Sequence, residues 1–152
     1  MVDEAGFSTL QPGSAPIRCA LMTPTPDAVA RPELTGLIAH IVERYHDTHR
    51  REFPEAIALA RKVEAVHAAD PGCPRGLADH LALMLEDLEG HQRREEQVLF
   101  PMLLAGGNPM VRFPIARMTA EHRDVDQQLV RLGALTHDFT APPQACATWQ
   151  AL

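Results

Sequence analysis

His91 and Glu95 stand four residues apart in an apolar periodic stretch, so on a helix both project from one face, between Leu88 and Val98. An imidazole and a carboxylate one turn apart have the spacing to clasp one metal ion, or to let the carboxylate bridge to a second. His122 has a similar place between Met118 and Val125, with Asp126 one turn on, and His46 follows Val42 by one turn, with His49 close to the same face. An unpartnered buried polar group costs about 1–3 kcal/mol and a buried charge more, so such residues on core faces need partners. Two accounts supply them. In one, the residues are metal ligands: imidazoles and carboxylates without cysteine suit iron, manganese or zinc better than copper(I) or an iron–sulfur cluster, and helical bundles host carboxylate-bridged metal pairs with ligands pointing inward. In the other, His91 and Glu95 are a helix-stabilising pair on a partly solvated seam, and His122 is a core histidine bonded to a carbonyl. That three stretches each offer such a residue favours the metal.

The elements that must position these residues are helices. Leu34, Leu37, Ile38, Ile41, Val42 and Tyr45 recur at spacings of three and four, predicting a helix from Glu33 to about Glu52. Phe53-Pro54 predicts a kink or break, after which the pattern resumes through Ile57, Ala60, Val63 and Val66. The turn cluster Asp70 to Gly76 precedes the clearest stripe, which runs Leu77, Leu81, Met84, Leu88, His91, Glu95, Val98 and Met102. Gly106-Gly107-Asn108-Pro109 ends it, and a third helix carries Ile115, Met118, His122, Val125, Leu129 and Leu132 on one face. Past Thr140-Ala-Pro-Pro a fourth helix starts at Gln144 with Cys146, Trp149 and Leu152, a stub of about 13 Å. With no strand signal or repeat, the chain reads as all-α: an up-and-down bundle of three main helices plus the start of a fourth. Five prolines in residues 1–32 predict an amino-terminal arm, which leaves 33–152 as the helical domain. His40, His67, His80 and His137 lie off the stripes or near helix ends and read as exposed or bonded to terminal carbonyls. Arg93-Arg94-Glu95-Glu96 reads as a solvated face with Glu95 alone turned inward.

The 152 residues correspond to one domain, and 14 Lys and Arg against 20 Asp and Glu leave a net charge of −6, which disfavours nucleic acid and anionic membranes as partners. The uncharged stretch Val98 to Val111 is too short and too broken by Pro and Gly for a membrane span. Asp3 and Glu4 stand where a signal peptide would carry Lys or Arg, so the expected location is cytoplasmic. Cys19, Cys73 and Cys146 form no C-x-x-C pair and are expected to be reduced thiols. No nucleophile–base pair or phosphate-binding glycine loop is visible, so a metal-binding protein is expected rather than a conventional enzyme.

Five ordered segments carry a family resemblance: Arg44-Tyr-His-Asp-Thr-His-Arg, Lys62-Val-Glu-Ala-Val-His, His91-Gln-Arg-Arg-Glu-Glu-Gln-Val-Leu-Phe-Pro-Met, Pro114-Ile with Met118 and Glu121-His122, and Pro142-Pro-Gln-Ala-Cys-Ala-Thr-Trp. Through them Ile38 to Leu152 resembles the helical domain of the RIC-type proteins, hemerythrin-like (HHE cation-binding) di-iron proteins associated with repair of iron–sulfur clusters under nitrosative and oxidative stress. The resemblance implies His46 as the ligand of the first helix, His91 and Glu95 as the H-x-x-x-E pair of the second, with Glu95 bridging, and His122 as the ligand of the third. Asp126 corresponds to the place where oxygen-carrying hemerythrins have a second ligand on the third helix. The family's last helix supplies another H-x-x-x-E, and this chain reaches Leu152 where that helix begins, so four or five ligands are expected, with a mononuclear or weak site and a complete di-iron site both open. Residues 1–37 hold only Cys19 and do not resemble the adjacent-cysteine module that members often carry. The implied cofactor is non-haem iron, with zinc or manganese as substitutes, and the implied small ligands are NO, O2 or peroxide. Three helices leave a groove lined by Leu, Met and histidines, which implies a homodimer or residues 1–32 folded into the gap. Besides cluster repair, two further functions fit: an O2- or NO-responsive sensor, and a metal-free helical interaction module in which the polar residues bond to one another.

Overall fold

Uninterrupted helix runs from Pro26 to Val66 in a computed structural model that describes residues 26–152, with side chains from Pro32 onward. It consists of α1 (Pro26–Ile41), a π-helical turn (Val42–His46) and α2 (Asp47–Val66). The helix thus starts upstream of Glu33. Pro26 takes the first position, where a missing N–H costs nothing, and Pro32 follows less than two turns later. The arm expected over residues 1–32 falls mostly outside the described residues. Pro54 lies inside α2 without ending it, so of the kink or break expected there the break does not occur and the element is continuous. The irregularity sits earlier, in the π turn that closes on His46.

The chain reverses through Asp70 to Gly76, where Asp70 Oδ1 accepts from the Gly72 amide at 2.8 Å and the Asp70 carbonyl accepts from the Cys73 amide at 3.1 Å. Gly76 closes the turn at φ +85°, a conformation that penalises any side chain, and its carbonyl accepts the His80 amide of the next helix. There follow α3 (Leu77–Arg94), a second π turn (Glu95–Leu99), α4 (Phe100–Leu104), a 3-10 turn (Pro109–Val111), α5 (Arg112–Leu135) and α6 (Ala147–Gln150). The described residues contain no strand, and none of their helices is long and apolar enough to cross a membrane.

Packing divides into three apolar clusters along the α2–α3 axis. In the middle, Ile57 and Ala60 of α2 meet Leu77, Ala78 and Leu81 of α3, with Leu132 and Leu135 of α5 against them. Ala60 and Ala78 are almost wholly buried, and their small size lets the two helices approach closely. At the turn end, Val63, Cys73, Ala145 and Trp149 enclose the start of α6. At the opposite end, Leu99, Phe100 and Met118 pack with Ile38, Ile41 and Val42. This last cluster departs from the expected stripe. Val98 is 46% exposed, while Leu99 and Phe100 are buried. A π turn inserts about one residue into the helical repeat, so the inward face moves on by one position beyond Glu95. On α5, Met118 alone of the expected stripe is buried, and Ile115 and Leu129 are exposed.

Candidate metal centre

His46 ends the first π turn and Glu95 begins the second, so both lie where the helical repeat is widened, a common setting for functional side chains. His46 Nε2 is 3.1 Å from Glu95 Oε2, and His91 Nε2 is 3.4 Å from Glu95 Oε1. From α5, His122 Nε2 reaches to 3.1 Å from His91 Nε2. The ligand atoms of His91, Glu95 and His122 lie within 4.8 Å of one another. His46 and His91 therefore direct Nε2 at the two oxygens of one carboxylate, and His122 joins the cluster with its Nε2 beside that of His91. His46 and His91 are buried, the Glu95 side chain is only 13% exposed, and His122 is exposed, so the cluster opens on the α5 side. Beside it a cavity of about 180 Å³ lies between α3 and α5, lined by Asp87, Arg94, Glu121, Asp124 and Gln128 among others.

The other nitrogens of two rings are held from behind. His46 Nδ1 is 2.7 Å from Glu96 Oε1, and Arg50 Nη2 donates to that same oxygen at 2.7 Å. His91 Nδ1 is 2.9 Å from Glu121 Oε2, while the other Glu121 oxygen accepts from Arg94 at 2.7 Å and Arg117 at 2.9 Å. Each ring is thus backed by a carboxylate that is itself anchored by arginine. A carboxylate accepting from Nδ1–H fixes the tautomer that leaves the Nε2 lone pair facing inward, which is how metal-ligating histidines are ordinarily held. The His46 ring also stacks on the buried Phe100, with centroids 6.0 Å apart.

The electrostatics follow this wiring. At Glu95, burial opposes ionisation most, but the hydrogen bond from His91 and the nearby His46 and His122 outweigh it and lower the carboxyl below its usual range. At Glu121, burial is again the largest effect and is overcome by Arg94, Arg117 and His91, which bring the carboxyl down to about 2. At Glu96, burial is overcome by His46 and Arg50. His91 is raised chiefly by Glu95, against burial and with help from Glu121. The carboxylates therefore stay anionic and face cations or N–H donors, and two anionic oxygens with three imidazole nitrogens form an oxygen–nitrogen donor set for iron, manganese or zinc. The residues present fit such an ion.

Of the positions singled out from sequence, His46, His91, Glu95 and His122 come together. Asp126 does not join them: it is exposed on α5 and forms no ion pair with His122. His49 lies outside the cluster, its Nδ1 accepting from Gln92 Nε2 at 3.1 Å. Glu96, expected to be solvated, turns to His46, because the second π turn advances the inward face. Glu121 is the other missed residue, and its place four residues after Arg117 and next to His122 was the available signal. His80, expected to be exposed or bonded to a terminal carbonyl, is buried, and its Nε2 donates to the Gln128 carbonyl inside α5 at 2.9 Å. One pairing was invisible in sequence, a thiol and an imidazole 79 positions apart, with His67 Nε2 3.1 Å from Cys146 Sγ.

The chain is 48% identical over 119 residues to the "Iron-sulfur cluster repair protein YtfE" of Dickeya chrysanthemi (strain Ech1591), which covers 78% of this chain and 54% of that protein. It is 50% identical, with the same coverage, to the proteins of that name from Yersinia pseudotuberculosis serotype IB (strain PB1/+) and Yersinia pestis (strain Pestoides F). The chain spans about half the length of the curated relatives it matches. Residues 37–152 match the model of the hemerythrin HHE cation-binding domain. With three quarters of its length inside that match, the chain belongs to the hemerythrin HHE cation-binding domain family.

Proposed function

We propose that the chain holds non-haem iron through His46, His91, Glu95 and His122, as the iron-binding part of a protein that repairs iron–sulfur clusters. The observation that carries this reading is the meeting of the His46 and His91 Nε2 atoms on Glu95, with His122 Nε2 beside that of His91 and the rings of His46 and His91 held from behind by Glu96 and Glu121. Glu95 presents its two oxygens to different imidazoles, the disposition a bridging carboxylate needs. Bound iron would supply open coordination positions for NO, O2 or peroxide, and iron itself for transfer. The protein's own contribution is positional: Arg50 and Arg94 keep Glu96 and Glu121 ionised, those carboxylates keep Nδ1–H on the far side of the rings, and the Leu99, Phe100 and Met118 cluster limits water on the buried side. The partly exposed α5 stripe supports self-association through that face, and the two described cysteines, both free thiols, fit a reducing cytoplasm.

A second reading has its own observation. His91 and His122 are at hydrogen-bonding distance, and His46 and His91 each pair with Glu95, so the cluster satisfies itself and would suit a metal-free interaction module. Elemental analysis of the chain after anaerobic reconstitution with ferrous iron separates the two. Iron retained on desalting, and lost in a Glu95→Gln variant of unchanged helicity, supports the metal centre; no retained iron rejects it in favour of the second reading.

A further inference from the structure

At the far end of α2 from the metal centre, a second reactive pair stands apart from everything used so far. His46 precedes α2 and His67 follows it, and the intervening Asp47–Val66 helix separates them by roughly 30 Å at ~1.5 Å per residue. There His67 Nε2 stands 3.1 Å from Cys146 Sγ, placed to take a proton from the thiol or to donate to the thiolate. The pair is held by packing. Cys146 lies between the buried Ala145 and the buried Trp149, which pack with Val63, four residues before His67, and with Cys73. The Trp149 ring lies against the imidazole with centroids 4.8 Å apart, fixing the ring on its other side. Cys146 itself is exposed, whereas Cys73 is buried.

We propose that Cys146 and His67 form a thiol-exchange site, at which the Cys146 sulfur takes up a thiol group from small aliphatic disulfides. The Cys146 proton passes to His67 or solvent, and the thiolate attacks one sulfur of R–S–S–R. The Cys146–S–S–R bond forms as the R–S–S–R bond breaks, and RS⁻ leaves with the electron pair and takes up a proton. Cys146 is thereby oxidised and the departing sulfur reduced, with the disulfide as the only oxidant. His67 is a positioning and activating residue.

The surroundings favour the thiolate. The hydrogen bond from His67 is the largest influence and, with the Trp149 and Thr148 amides at the start of α6, brings the thiol down to about 7 against slight opposition from burial. Other charges nearby are engaged elsewhere. Asp70 accepts from the Gly72 amide, Arg75 donates to the Ala68 and Asp70 carbonyls, Glu64 accepts from the Ala78 amide, and α6 carries no charged residue. At Cys73 burial is the largest influence and pushes the thiol up.

The test uses the full chain and a neutral probe, 2-hydroxyethyl disulfide, with peptide mass mapping to separate Cys146 from Cys19 and Cys73. Half-maximal exchange at Cys146 is expected near pH 7. In His67→Gln the thiol should return toward its ordinary value of 9.0, the Trp149 and Thr148 amides holding back part of the rise, so that the thiolate fraction at pH 7 falls by at most about 50-fold while the more basic thiolate becomes at most about 8-fold more nucleophilic. The net expectation is exchange slower at pH 7 and faster at pH 9.5, by up to about 6-fold each way, a crossing of rates that a merely structural role of His67 would not produce. Fluorescence of Trp149, the single tryptophan, reports whether the variant keeps this corner folded. If it does not, the profile of the unsubstituted chain decides alone: a half-point near 7 supports the site and one above 8 overturns it. Parallel profiles for the chain and a folded His67→Gln variant likewise overturn it.

Discussion

Replacing Glu121 by Gln tests how the metal centre is held. Its carboxylate engages three donors of different worth: Arg117 is 63% exposed, Arg94 34% and the His91 side chain 7%. An exposed pair contributes close to nothing, a half-exposed arginine about 0.5–1 kcal/mol, and a buried charged hydrogen bond about 1.5 kcal/mol or more. Glutamine keeps one neutral acceptor, so the metal-free chain should lose about 1–2 kcal/mol in urea unfolding with chelator present. The carboxyl sits at about 2 and stays ionised from pH 6 to 8, but the raised His91 gives up its proton as pH climbs through its folded value, so the loss should be largest near pH 6 and shrink as pH rises. Iron binding should suffer separately. Weakening the group behind a ligating histidine typically costs 10–100-fold in metal affinity, about 1.4–2.7 kcal/mol. Competition between the chain and a ferrous chelator at fixed pH reads this directly. An affinity within about threefold of the unsubstituted chain, in a variant that shows the expected stability loss, would refute the claim that Glu121 holds His91 for a metal. Unchanged stability as well would refute the energetic reading of the Glu121 contacts.

Other substitutions probe the frame. Gly76→Ala should destabilise by about 1–2 kcal/mol in denaturant unfolding, since no atom lies near the added Cβ and the whole cost is the positive φ. His137 also has positive φ, at 51°, followed by Asp138 and Phe139 at 54° and 59°, so His137→Gly should raise stability by about 1 kcal/mol, read as an upward shift in Tm. Leu77→Ala, at a side chain only 1% exposed between α2 and α3, should cost about 2–5 kcal/mol and lower the urea midpoint accordingly.

The helices were legible because each carries enough apolar repeat to outweigh its interruptions. Leu77 through Leu88 sit as the period places them, and α5 and the start of α6 follow the expected breaks at Asn108-Pro109 and Pro142-Pro143. Pro54 removes one backbone hydrogen bond, but the packing of Ile57, Ala60 and Val63 on α3 and the turn beyond it carries the helix through. His46, His91, Glu95 and His122 were legible as polar residues on apolar stripes, a pattern that buried polar groups make conspicuous because of their cost.

The residues behind the ligands were illegible for a different reason. A strict period of three and four assigns Val98 inward and Glu96 outward, and no residue type marks a π turn. The two widened turns lie against each other, one ending at His46 and one starting at Glu95. Their combined effect is to let a single segment present Glu95 to the Nε2 side of His46 and Glu96 to its Nδ1 side, which adjacent residues on a regular helix, about 100° apart, are poorly placed to do. The loss of regular hydrogen bonding at both turns is thus tied to the site, since the same His46 ring is grasped from two directions by consecutive residues. The arginines complete the arrangement, because a second carboxylate so close to Glu95 would repel it unless Arg50 neutralised Glu96, and Arg94 plays the same part for Glu121.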